Sequence, residues 1–222
     1  MQSDPKASQR SDSACSAVLG EAFYARPVLT VARELLGKVF VVERDGRKLA
    51  GRIVETEAYQ SDIDQASHAF RGRTPRNGAM FGPPAHLYVY RSYGIHFCMN
   101  VVTTHGGGPA AAVLLRAMEP VEGEGAMKTR RQTEDRWALL RGPGNACRAL
   151  DLDLSFSGRS LLLGDPAIID APIPAEPVVT TTRIGITRSV DFPWRFYLGG
   201  NRAVSRRDRK AELLALRRPV ES

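Results

Sequence analysis

The feature that most constrains this chain is a pair of runs rich in aromatic and β-branched residues. These are Ala85–Arg91 and Ile95–Thr103, parted only by Ser92-Tyr93-Gly94. Such side chains pack well on a pleated surface, so both runs read as strands. A gap that short cannot hold the crossover that parallel strands need. The two must therefore form an antiparallel hairpin, with Tyr93 at or beside its tip. Lys38–Glu43 and Lys48–Ala58 repeat the pattern around Asp45-Gly46, a dipeptide that tolerates the positive φ of a tight turn. Further strands are expected at Ala111–Arg116, Leu161–Leu163, Val178–Ile186 and Trp194–Leu198.

Helices are fewer. Thr30 reads as an N-cap for Val31–Leu36, which Gly37 stops. Glu124–Leu150 is the most helical stretch, split by Gly142-Pro143-Gly144. Hairpins and irregular loops, rather than β-α-β units, join the strands, which predicts a mostly antiparallel α+β domain. The 222 residues suit one large domain. We expect a disordered N-terminal tail over residues 1–20, the domain over 21–208 and a basic C-terminal tail over 209–222. Gln60–Ala85 lacks periodicity, and a loop that long in a compact domain is usually functional.

Charge narrows the partners. Lys and Arg number 31 against 24 Asp and Glu, a formal net charge of +7, with a pI near 9.7. A positive field of that size favours an anionic partner. Cys15, Cys98 and Cys147 form no close pair, which argues against a disulfide framework or a zinc knuckle and fits a reducing compartment. The first residues lack the apolar core of a secretory signal, and no apolar run approaches a membrane span.

In Val54-Glu55-Thr56-Glu57-Ala58-Tyr59, strand alternation puts Glu55, Glu57 and Tyr59 on one face. Buried unpaired carboxylates are costly. The pair is therefore either an ion-paired face or one structural carboxylate beside a general base. Tyr93 is similarly open: a large ring at a turn tip either folds back onto the core or serves as a wedge for a base stack. Arg71, Arg73 and Arg76 with Asn77, then Lys128, Arg130, Arg131 and Arg136, then Arg206, Arg207, Arg209 and Lys210 form three cationic clusters suited to phosphates. His68, His86, His96 and His105 show no metal-ligand spacing; His86 and His96 could face each other across the hairpin, without a third ligand. Cys98 reads as a buried, inert thiol.

Several blocks, in order, resemble the alkyladenine (3-methyladenine) DNA glycosylase family. They are Glu55–Tyr59, His68, Arg73-Thr74-Pro75-Arg76-Asn77, Leu87–Tyr90 with Tyr93-Gly94, and Phe97–Asn100. Leu114–Pro120, Gly142-Pro143-Gly144 and Arg183-Ile184-Gly185-Ile186 continue the match, which runs from about Phe23 to about Ser205. The resemblance implies a compact fold with a curved, open, barrel-like antiparallel sheet flanked by helices and a protruding hairpin. It also implies a monofunctional glycosylase that flips a damaged purine from double-stranded DNA and hydrolyses its N-glycosidic bond, leaving an abasic site.

Glu57 matches the general base, with Arg116 and the carbonyl of Ile186 beside the attacking water. Tyr59 would stack on one face of the base, with His68 and Tyr90 on the other, and Asn100 would line the floor against guanine. Tyr93 would fill the gap in the duplex from the minor groove, with Arg91, Arg73, Arg76 and Asn77 on the DNA. No lysine matches a Schiff-base nucleophile. The resemblance implies a monomer without metal, cofactor or obligate protein partner, cytoplasmic and nucleoid-associated if bacterial. 3-Methyladenine, 7-methylguanine, hypoxanthine and etheno-adenine are the substrate class. The rival is a non-catalytic nucleic-acid-binding module, which leaves Glu57 without a task.

Overall fold

The computed structural model describes residues 17–103 and 108–216. The expected tail up to residue 16, with Cys15, lies outside them, as do His105 and residues 217–222. Short helices α1 (Glu21–Tyr24) and α2 (Val28–Glu34) lead into a β-rich body. Its strands are β1 (Val39–Arg44), β2 (Arg47–Gln60), β3 (Leu87–Ser92), β4 (His96–Val102) and β5 (Ala111–Glu122), followed by helices α3 (Glu124–Arg131) and α4 (Pro143–Leu150). The last elements are β6 (Ala167–Ile169), β7 (Val178–Thr181), β8 (Arg195–Leu198) and α5 (Arg209–Leu216).

The fold is α+β. Every strand pairing among the described residues is antiparallel, in one open sheet ordered β3-β4-β5-β2-β1-β6, with β8 joining β2 to β7. Strand β2 is long enough to pair with β1 over its first half and with β8 at Glu55–Glu57, while β5 runs along its other edge. Both predicted hairpins form. Asp45 and Gly46 turn β1 into β2 with φ of +52° and +67°, the two positive values that suit a tight turn between twisted strands.

The sheet's two faces divide the labour. Ala58, Leu87, Val89, Met99, Val101, Val113 and Leu115 point into the main core. α2 packs on this side, and Thr56 Oγ1 donates to the Ala32 carbonyl at 2.7 Å. The opposite face carries Tyr88, Val102 and Ala112, which form a second, smaller cluster with Ala69 and Met80 from the long loop. That loop folds over the sheet as a lid of irregular backbone.

Six expectations need correction. The strand expected at Val178–Ile186 ends at Thr181, and Arg183 to Ile186 lie in the loop that follows. Helix α2 starts at Val28, not Val31, because Pro27 sets the entry and Thr30 falls inside the first turn. The strand expected at Ala111–Arg116 does not stop there: β5 continues through Pro120 to Glu122. Leu161–Leu163 makes no strand; only Ser160 bridges to His86, and the short β6, which the sequence did not suggest, pairs with β1 instead. His86 and His96 are not opposite each other, since His96 pairs with Ser92. Arg209–Leu216, expected as tail, is a helix: Asp208 caps it by accepting from the Ala211 N–H at 3.1 Å.

Candidate active site

The site is built on the face that the long loop covers. Register sets a row across four strands: Glu57 lies opposite Leu114, Leu114 opposite Asn100, and Asn100 opposite Tyr88. Residues opposite one another in antiparallel strands share a face, so Glu57, Asn100 and Tyr88 project to the same side. Tyr59 and Tyr90 join them two positions along their strands. Between Ile53 and Thr56 the β2–β5 register slips twice, leaving Val54 and Arg116 without partners. Such bulges re-aim side chains. Here Arg116 comes to lie 3.4 Å from Glu55 and 3.5 Å from Glu57.

The two carboxylates, both fully buried, have different company. Glu55 is saturated: it accepts from Arg195 at 2.9 Å and from the Ser205 N–H at 2.7 Å, besides its ion pair with Arg116. Glu57 takes the Ile184 N–H on Oε1 at 2.9 Å, and on Oε2 the Tyr59 hydroxyl at 2.8 Å and a long contact from Arg116. Burial raises its pKa, opposed by Arg116, the Ile184 N–H and the Tyr59 hydroxyl. Carboxylates tuned this way cluster where proton transfer is needed. Of the two roles left open by spacing, Glu55 has the bonding of the structural one.

In front of Glu57 lies an aromatic slot. Tyr59, Ala66, His68, Met80, Tyr88, Tyr90 and Asn100 line a cavity of about 20 Å³. Glu57 sits behind this wall, reached through the Tyr59 hydroxyl. His68 packs edge-on against Tyr90, centroids 4.5 Å apart, and its Nδ1 is 2.9 Å from the Tyr88 hydroxyl. Burial, then Arg76, lowers the His68 pKa, which favours the neutral ring. Asn100 donates its amide N–H to the Tyr88 carbonyl at 3.0 Å. A larger groove of about 520 Å³ runs along α3, but lysine, threonine, glutamine and glutamate line it without an aromatic or buried ionisable group.

The hairpin tip stands apart from all of this. Tyr93 is 87% exposed at φ +49°, and Ile95 is 72% exposed. The Ile95 N–H closes the turn on the Ser92 carbonyl at 3.1 Å. A bulky residue in the left-handed region is uncommon and costs backbone strain. Tyr93 therefore does not fold back onto the core. Arg73, Arg76 and Arg91 are exposed, and Arg76 reaches the hairpin by donating to the Arg91 carbonyl at 2.9 Å. Ile186 is half-buried in the loop that supplies the Ile184 N–H.

Asn77, expected on the DNA, has its side chain turned into the loop. It is 3% exposed, and its amide is consumed within the loop: Nδ2 donates to the His68 and Gly72 carbonyls, and Oδ1 accepts from the Thr74 N–H at 2.6 Å. Its work is to shape the loop under His68. Cys98 is buried as expected, yet on the site face beside Tyr90, and burial raises its pKa. Sequence reasoning missed Asp64, Arg183, Arg195 and Ser205, which brace the site. Only Arg183 carried a signal, by lying in a matching block.

The family model of methylpurine-DNA glycosylase matches residues 22–202, which span all eight strands and every slot residue. The chain belongs to the methylpurine-DNA glycosylase family. It is therefore a DNA N-glycosylase, a hydrolase acting on DNA in repair, and the resemblance read from its sequence is borne out. The chain is similar to proteins provisionally named 3-methyladenine DNA glycosylase. The one from Chlorobaculum tepidum is 50% identical over 190 residues, 85% of this chain and 90% of that protein. The one from Carboxydothermus hydrogenoformans is 48% identical over 192 residues, 86% of this chain and all of that protein. That of Agrobacterium fabrum is 49% identical over 187 residues, 84% and 92% of the two chains. Among the glycosylase's described residues no three His, Cys, Asp or Glu side chains group as a metal site would need. No helix there is long and apolar enough to cross a membrane.

Proposed function

We propose that the glycosylase flips an alkylated or deaminated purine out of duplex DNA and hydrolyses its N-glycosidic bond with a water activated by Glu57. The observation that carries this is a fully buried carboxylate, its pKa raised, held behind an aromatic slot by Arg116 and the Ile184 N–H. The water oxygen bonds to C1′ as the glycosidic bond breaks, and the electron pair leaves with the purine. The water's proton passes to Glu57. A cationic alkylated base departs neutral and needs no acid, whereas hypoxanthine needs a proton at its ring nitrogen. A positioned base contributes about 10²–10⁴-fold; positioning and electrostatics supply the rest.

Tyr59 faces the flipped base on one side, with His68 and Tyr90 on the other, and Asn100 opposes the exocyclic amino group of guanine. Aromatic faces attract cationic rings, which favours alkylated purines. The slot's 20 Å³ has room for about one water and none for a purine, so entry of a base must part Tyr59 from the His68–Tyr90 wall. The exposure and strained backbone of Tyr93 support its entry into the stack from the minor groove, with Arg73, Arg76 and Arg91 on phosphates. The enzyme acts as a monomer, and Ile186 offers its carbonyl to the water.

Duplexes that each hold one defined lesion, incubated with enzyme and then treated with alkali, test this. Strand breaks are expected only after alkali, at 3-methyladenine-class and hypoxanthine sites. Breaks without alkali point to lyase chemistry, and none at any of these lesions puts the enzyme's substrate outside this class.

A further inference from the structure

We infer that the buried Arg183–Asp64 pair is a positioning device that locks the Tyr59 ring and the backbone donor of Glu57 into one unit, so that the chemical step depends on it. The inference rests on the roles proposed above for Glu57 and Tyr59. Neither side chain of the pair is exposed, and the guanidinium grips the carboxylate with two bonds, at 2.6 and 2.7 Å. The same guanidinium donates to the Ala58 carbonyl at 2.9 Å and the Ser189 carbonyl at 3.3 Å. Its central carbon Cζ lies 4.5 Å from the Tyr59 ring centroid and 5.4 Å from that of Trp194.

One planar cation thus joins β2, the covering loop through Asp64, and the loop that precedes β8. The next residue along, Ile184, sends its N–H to Glu57 Oε1 at 2.9 Å. A shift of Arg183 moves the stacking ring on one side and the carboxylate's donor on the other. Stability alone does not explain the pair, because buried ion pairs are often no better than apolar side chains of similar volume. What an apolar pair lacks is the fork and the flat face. A lysine has the charge without either.

The groups facing Glu57 are Arg116 from β5, Glu55 and Tyr59 from its own strand, and the Ile184 N–H. Tyr90 from β3 and Cys98 from β4 lie within electrostatic reach. The Ile184 N–H is one of three groups that favour the ionised carboxylate against burial. Loosening it makes Glu57 harder to ionise, so the acid limb of the rate profile moves to higher pH. A loss of folded enzyme would scale the profile without moving it.

The test is single-turnover excision by full-length Arg183→Lys, with enzyme in excess over a lesion duplex, across the acid limb. The double variant D64N/R183Q, which removes both charges together, serves if the lysine variant fails to fold. The rate should fall roughly 10–100-fold, with affinity for the duplex held within about threefold and part of the loss recovered at higher pH. An unchanged rate, or a loss with the acid limb in its original place, overturns the inference. Glu57→Gln runs alongside. Normal turnover by that variant defeats the reading of the site itself, whereas an inactive Glu57→Gln beside an unmoved limb defeats only the role of the pair.

Discussion

Glu55 and Glu57 sit two residues apart on one strand face, and their neutralisation should have opposite consequences. Glu57→Gln keeps an oxygen for the Ile184 N–H, and the Tyr59 hydroxyl can turn to accept from the new amide. Arg116 keeps Glu55 and Ser205 as partners. The pKa of Glu57 is raised in the folded protein, so any stability it lends belongs to its protonated form. That contribution is present below the ordinary carboxylate range and is lost as pH rises through the folded value. Above the folded value the ionised group therefore works against folding. Removing its charge should leave stability unchanged or raise it by about 0.5–2 kcal/mol, the range of single stabilising substitutions. That is a rise of a few degrees in Tm, at roughly 2–4 °C per kcal/mol for a chain of this size. Base excision should meanwhile fall about 10²–10⁴-fold, or roughly 2.7–5.5 kcal/mol of barrier at about 1.4 per decade.

Glu55→Gln predicts the reverse. It strips the countercharge from Arg195, whose side chain is 4% exposed, and weakens the anchor of Arg116. Leaving a buried charge uncompensated costs about 3–5 kcal/mol, roughly a 10 °C fall in Tm. Thermal melts and single-turnover excision on both variants decide the matter. A Glu57→Gln enzyme that works within threefold of normal, or melts ten degrees early, would show that Glu57 is a structural carboxylate and refute the assignment.

Tyr93→Ser should leave Tm almost unchanged, as exposed positions do, and slow excision from paired duplex more than from a lesion already unpaired; equal slowing on both would remove the wedge. Asn77→Ala orphans the His68 and Gly72 carbonyls, so a loss of about 1–3 kcal/mol is expected, with activity falling because the His68 wall slackens; an unchanged melt would show that the loop holds itself. Duplex affinity should drop steeply with salt, by about 10³–10⁵ between 50 and 200 mM if six to ten phosphates are contacted; a flat response would exclude the exposed arginines as phosphate contacts.

Much of the frame could be read in the sequence, because hairpins are local. The Asp45-Gly46 and Tyr93-Gly94 turns and the strands they join are set by residues within a few positions of each other. The failures share a cause. Ala167–Ile169 becomes β6 only because Val39–Val41 offers an edge far away in the chain. Arg209–Leu216 looks like a charge run until Asp208 is seen to cap it and Glu212 to be buried. Pro120 survives in β5 because pairing partners elsewhere in the strand carry it.

The site divides along the same line, and Asn77 and Arg183 show why. Alternation on β2 suffices to put Glu57 and Tyr59 on one face, so spacing could nominate them; Tyr90 and Asn100 enter through the family resemblance, and only the pairing through β5 brings the two pairs together. Asn77 carries a polar amide among arginines, which reads as a phosphate contact until burial shows that both ends of the amide are spent on backbone. Arg183 reads as one more cation, although its partner Asp64 lies 119 residues away and its ring contacts come from two other segments. A group that reacts must face the substrate, and facing follows from strand periodicity. A group that braces the reacting one is defined by contacts distant in sequence, which no local pattern encodes. The braces of this site, Arg183 with Asp64 and Arg195 with Glu55, are for that reason the part that only the folded chain displays.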